Sequence, residues 1–253
     1  MKSLFFSPVE AIKKGWDLTK SYFIVTLGLI IAYGVLSFIL SALQGNEMGV
    51  RYFIVYLLIL VVSIFYQLGY NKILLNATED IEPEFSVFKE VSGKFFPYLG
   101  LYIVTNFILF FVWMIVFLPC ALMGTGLAAL SGIVTGDYTA VLGILWILAL
   151  TAIPVIYLGI RWMYAPFLMI DKNTGVMESL GQSWKMTSGN MPALIGFCCL
   201  LLLLNIVGFI ALIVGIFVTI IISGYAVAVS YRMLTRTEEE ALTEAVSDEA
   251  EQE

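Results

Sequence analysis

The chain has 253 residues, 60% of them hydrophobic and 13% charged, with a formal net charge of -6 and no histidine. Soluble domains carry about 45–50% apolar and about 25% charged residues, so this composition excludes a soluble enzyme or binding module and requires a polytopic membrane protein. The three cysteines, Cys120, Cys198 and Cys199, lie in or at the edge of apolar runs and form neither a disulfide framework nor a metal-ligand spacing.

The first element starts at Ser7-Pro8-Val9-Glu10, where a serine cap, a proline suited to the first turn and a glutamate three residues after the cap predict a helix start. Val9, Ile12, Trp16, Thr19 and Phe23 then recur at three- and four-residue steps, with Lys13, Lys14, Asp17 and Lys20 on other faces. This predicts an amphipathic helix lying in the membrane interface, its tryptophan in the headgroup layer.

A helix needs about 20 apolar residues to cross the hydrocarbon. That requirement places six spans near residues 22–43, 52–71, 95–119, 140–161, 192–208 and 211–232. The last two come from one long apolar run, which is cut around Gly208 because a single helix of roughly 40 residues would be about 60 Å long. Between spans 3 and 4, Pro119, Gly124, Gly126, Gly132 and Gly136 interrupt the apolar pattern, and residues 119–138 are read as an outer loop or a re-entrant element.

Twelve of the thirteen basic residues fall on one side of this topology, and only Arg51 on the other. Basic residues mark the cytoplasmic side, so both termini are expected there, in a bacterial inner membrane and without a cleaved signal peptide. Residues 237–253 carry eight acids and no base. They are read as a separate acidic cytoplasmic tail, disordered or loosely helical, following a transmembrane domain of residues 1–236. The acidic sign disfavours nucleic acid as a partner.

The first element is written again. A shift of about 168 positions aligns Glu10 with Glu178, Trp16 with Trp184, Thr19 with Thr187 and Gly28 with Gly196, as a duplicated unit would. In the second copy Met177, Leu180, Trp184, Thr187 and Met191 keep the stripe, with Gly175 as the cap. A weaker middle copy runs from Glu82 to Pro97, with Phe88 at the tryptophan position. The expected fold is an all-α, polytopic membrane helix bundle of six transmembrane helices with two or three interfacial amphipathic helices and internal repeats.

The segment Arg161-Trp162-Met163-Tyr164-Ala165-Pro166-Phe167, followed by Asp171, Gly175, Ser179-Leu180 and Ser183 to Asn190, resembles a family of bacterial six-span membrane proteins of unknown function. That family is related to the membrane domain of glycerophosphoryl diester phosphodiesterases. The resemblance implies an α-helical inner-membrane domain, often fused to or neighbouring other activities, without an established reaction of its own. The soluble catalytic domain of the fused enzymes has no counterpart in these residues, so no phosphodiesterase activity is expected.

Phosphodiester hydrolysis needs clustered acids, usually with a metal and histidine. The acids Glu79, Asp80, Glu82, Glu84 and Glu90 share one loop and read as a solvated charge run. No catalytic, cofactor-binding or metal site is expected, and no cofactor. Intramembrane Asp, Glu, Lys or His would mark ion coupling, and no predicted span carries one at its middle. Gln67, Asn71, Asn106 and Asn205 read as interhelical hydrogen-bond partners, and the ridge Ala211, Gly215, Thr219, Ser223 as a close-approach face for another helix. Trp16, Trp184, Arg161, Lys13 and Lys185 are the candidates for lipid or interface contact.

The function expected is an accessory or scaffolding membrane domain that contacts membrane lipids or a protein partner at the cytoplasmic face. The alternative is a transporter or permease for a neutral or lipid-like substrate, with a polar cavity reaching Asn106 or Asn205. A membrane enzyme acting on phospholipid ranks last. The oligomeric state is not readable from the sequence.

Overall fold

The computed structural model of the protein describes residues 6–45, 49–122 and 138–250, without the side chains of 120–122, 138–144, 212–214 and 237–250. The fold is an all-α membrane helix bundle, and among the described residues six helices are long and apolar enough to cross a membrane. The described helices are α1 (Pro8–Gln44), α2 (Val50–Ala77), α3 (Val87–Val91), α4 (Phe95–Leu122), α5 (Tyr138–Trp162), α6 (Ala165–Asp171), α7 (Val176–Ser188), α8 (Met191–Ile210) and α9 (Leu212–Ala250). The predicted element at residues 119–138 lies mostly outside the described residues; α4 itself runs through Pro119 to Leu122.

The chain divides into two compact units, residues 1–99 with 164–253, and residues 100–163. In the first, α9 is the core. Half of its apolar window is buried, against 17% or less in the other five spans, and Ile221, Tyr225, Ala226 and Tyr231 are fully covered. On α1, Thr26 Oγ1 and Tyr225 Oη of α9 share a buried hydrogen bond of 2.7 Å. Gly15 lets α1 reach the α9 backbone, because a Cβ there would stand 2.8 Å from the amide nitrogen of Ala226.

Tyr33 joins α1 to α2 by stacking on Tyr66 at 3.9 Å and bonding Ser63 at 2.9 Å. At the far end of this hairpin Gly45 takes φ 71°, which a glycine adopts without strain. Arg51 there turns back to donate to the carbonyl of Leu43. The one basic residue that breaks the charge asymmetry thus caps a helix C-terminus, where a cation is favoured.

α1 is one helix with a break at Tyr22 (φ -117°, ψ 16°), at the boundary expected between the amphipathic element and span 1. Span 2 continues past residue 71 to Ala77, because Ile73, Leu74, Leu75 and Ala77 are covered by protein rather than left to lipid. The last apolar run divides at Ala211, a few residues from the cut at Gly208. There the ridge closes inside the chain: Gly208 packs on Thr219 and Gly215, and Asn205 Nδ2 donates to Ser223 Oγ at 2.8 Å. Asn71 and Gln67 bond Tyr98 of α4, whereas Asn106, expected to join two helices, donates to the Tyr102 carbonyl of its own helix and is exposed.

In the second unit, α4 carries an aromatic ladder in which Trp113 stacks on Phe117 at 4.6 Å. α5 contains Pro154 and carries Arg161 in its last turn, ending at Trp162. Large apolar side chains such as Ile24, Phe38, Trp146, Phe209 and Ile210 are between 73% and 83% exposed, which water would penalise and acyl chains would not.

Candidate functional site

The first elbow, residues 8–21 of α1, has three faces. Ala11, Gly15 and Thr19 are buried, Val9, Lys13 and Trp16 face outward, and Lys14, Asp17, Leu18 and Ser21 border a pocket. α7 shows a similar division of buried and exposed positions. Ser179, Ser183 and Thr187 are buried, while Met177, Trp184 and Lys185 face outward. Two outward pairs match in exposure, 67% and 68% for Val9 and Met177, 45% and 38% for Trp16 and Trp184, whereas half-buried Ile12 and Leu18 correspond to buried Leu180 and Met186.

The bonds agree as well. Thr19 donates to the Gly15 carbonyl at 2.8 Å and Thr187 to that of Ser183 at 2.9 Å. Lys14 pairs with Glu10 at 3.0 Å, and Gln182 donates to Glu178 at 3.1 Å. The caps differ: Ser7 accepts from the Glu10 amide at 3.4 Å, whereas Gly175, the N-cap of α7, makes no side-chain bond. The sequence placed Thr19, Leu180 and Thr187 on the lipid-facing stripe, but the structure buries them, Thr19 beside Ala11 and Gly15 and Thr187 beside Ser179 and Ser183, because small residues let the helix approach its neighbours. The middle element differs, because α3 has only five residues and Phe88 turns onto Gly69 of α2.

Trp16 and Lys13 share the first elbow, Trp184 and Lys185 the second. Lys20 sits over the Trp16 ring, 5.9 Å from its centroid, while pairing with Asp17 at 2.7 Å. Arg161 is 9% exposed and donates through Nε and Nη2 to Tyr157 Oη at 3.1 and 2.9 Å.

A charged hub ties α2, α6 and α9 together where the elbow meets them. Arg232 of α9 is 18% exposed and grips Glu79 at 2.7 Å and Asp171 at 2.9 Å. Its Nε approaches Thr78 Oγ1 at 3.4 Å. Asp171 Oδ2 also accepts from Tyr231 Oη at 2.8 Å. A carboxylate at the C-terminal end of a helix is disfavoured by the helix dipole; Arg232 offsets this, and Lys94 Nζ donates to the nearby carbonyls of Met169 and Ile170.

The motif beginning at Tyr164 has a structural role here. Tyr164 bonds Ser230 at 2.9 Å with both side chains buried, and Phe167 stacks on Tyr231 at 5.6 Å. Glu79, read as part of a solvated run, is instead an ion-pair partner, while Glu84 accepts from Ser86 at 2.9 Å.

Next to the hub lies a pocket of about 450 Å³. It is bordered by Lys14, Asp17, Leu18 and Ser21 of α1, by Ala77, Thr78 and Asp80 at the end of α2, and by Val229, Arg232, Met233 and Arg236 of α9. The positions on α9 are spaced three, one and three apart and so form one face. Among the described residues no group of three or more His, Cys, Asp or Glu could hold a metal. The chemistry the pocket offers is charge recognition: two arginines, a lysine, two aspartates and two hydroxyls around a volume that fits a small polar ligand.

Residues 39–237 match the family described as the membrane domain of glycerophosphoryl diester phosphodiesterase. The chain belongs to this family. As a glycerophosphodiesterase-type membrane domain it is a multi-pass membrane protein, and the matched segment contains the hub, the second elbow and all of the pocket except its α1 wall. No curated protein and no solved structure matches it.

Proposed function

We propose that this membrane domain is an accessory component of a bacterial inner membrane that performs no reaction of its own, contacting lipids or a protein partner through its cytoplasmic face. Both termini and both tryptophan-bearing elbows lie on that face, in line with the twelve-to-one distribution of basic residues. The observation that carries the reading is where the polar side chains of the spans are spent. Thr26 with Tyr225, Asn71 and Gln67 with Tyr98, Asn205 with Ser223 and Tyr164 with Ser230 each join one helix to another. The recurring elbow geometry supports two copies of one unit, an interfacial ramp leading into a transmembrane hairpin.

Proteoliposomes containing the full chain distinguish this role from transport. Uptake of neutral solutes and flip of labelled phospholipid are expected to match protein-free vesicles, while cross-linking in native membranes yields a specific lipid or protein at the elbows. Uptake or flip several times that of empty vesicles, or a chain recovered with neither, would overturn the assignment.

A further inference from the structure

We propose that the pocket under the first elbow binds the headgroup of a zwitterionic phospholipid bearing a primary ammonium, with the phosphate toward Arg236 and the ammonium toward Asp80. This deepens the accessory reading and rests on its placing of the elbows at headgroup level. Several charges around the pocket are already neutralised: Lys14 by Glu10, Asp17 by Lys20, and Arg232 by Glu79 and Asp171. Among the described residues Arg236 and Asp80 have no ion pair, and both are exposed to the pocket. One uncommitted cation and one uncommitted anion match a ligand that carries both signs, whereas a purely anionic headgroup would meet Asp80 unfavourably.

The lining also contains no aromatic residue. Quaternary ammonium groups are usually held by aromatic faces, so a primary ammonium that donates hydrogen bonds to a carboxylate is the better fit. The depth suits a lipid. The α1 wall precedes the break at Tyr22, and the α9 wall lies at the end of its apolar window. A phosphate here sits where headgroups lie, and the ester's acyl chains can run along the exposed apolar helices.

Full-length protein is equilibrated with vesicles of phosphatidylethanolamine, phosphatidylglycerol and phosphatidylcholine in equal parts, and the lipid retained after a detergent wash is counted by mass spectrometry. Phosphatidylethanolamine is expected to be enriched about fivefold, the ratio that one or two partly exposed charge contacts supply. Asp80→Asn is expected to abolish the preference over phosphatidylglycerol, and Arg236→Gln to lower retention of all three lipids. Lys89→Gln on α3 leaves the profile unchanged.

Asparagine accepts the φ of 59° at position 80, so the turn is kept, and equal melting temperatures verify the fold. Equal retention of the three lipids by the native chain, or an Asp80→Asn variant that keeps the preference, overturns the proposal. Saturable binding of free phosphoethanolamine without lipid enrichment overturns the lipid as its source. A partner cross-linked at the elbows alongside an unselective lipid profile removes this inference and leaves the accessory role standing.

Discussion

Replacing Arg232 with alanine is expected to lower the stability of the domain by about 2–4 kcal/mol, a loss of the kind seen when one partner of a largely covered ion pair is removed. Most of that cost sits at Asp171 rather than Glu79. The Glu79 side chain is 44% exposed and recovers water when its partner leaves, so its share is below about 1 kcal/mol. The Asp171 side chain is 22% exposed and stands at the C-terminal end of α6; without the guanidinium it keeps the Tyr231 hydroxyl bond and the field of the nearby Lys94 ammonium.

Arg232→Lys is expected to restore less than half of the loss. An ammonium lacks the planar fork that reaches two carboxylates and Thr78 at once. Replacing Asp171 together with Arg232 by apolar residues of similar volume is expected to cost less than Arg232→Ala alone, because no charge is then stranded. Thermal unfolding in one detergent, followed by fluorescence-detected gel filtration, checks the series. An Arg232→Ala melting temperature equal to the native one would remove the hub from the account.

Gly15→Leu is the second large effect, expected to cost about 1–3 kcal/mol through overpacking or to displace the elbow from α9. The atoms in the way are the backbone nitrogen and Cα of Ala226, at 2.8 and 3.0 Å from the position of a Cβ. Neither can rotate aside. Even alanine at position 15 requires the two helices to separate.

Gly28 and Gly196 are the controls, because an added Cβ meets nothing within 4 Å at either. Leucine there is expected to be neutral or slightly stabilising, since it is a better helix former than glycine. The same melting assay reads both outcomes. A Gly15→Leu variant as stable as Gly28→Leu contradicts the close α1–α9 contact.

The spans were legible because charge-free apolar runs leave a helix few alternatives, and the break at Tyr22 coincided with the end of the charged stripe Lys13 to Lys20. The packing was not. Of the expected stripe, Val9 and Trp16 face outward and Ile12 is half-buried, whereas Thr19 turns to the protein-facing side with Ala11 and Gly15, whose small size carries little hydrophobic signal. In a membrane small residues are what let helices approach, so the informative pattern was the four-residue spacing of small side chains, present in α1 and again in α7.

The hub was also out of reach. Arg232 and Asp171 are 61 positions apart, and nothing local distinguishes an arginine that holds two carboxylates from one that marks the cytoplasmic side. Asp171 itself was visible as part of the motif, but its partners on α9 depend on how Tyr164 and Phe167 seat α6 against Ser230 and Tyr231.

The accessory role requires the two elbows to lie on one face of the membrane, and single cysteines at positions 13 and 185, in a chain cleared of its native thiols, test this directly. With intact cells, a membrane-impermeant maleimide is expected to label neither position, and after permeabilisation both. Labelling of one position but not the other in intact cells would contradict it.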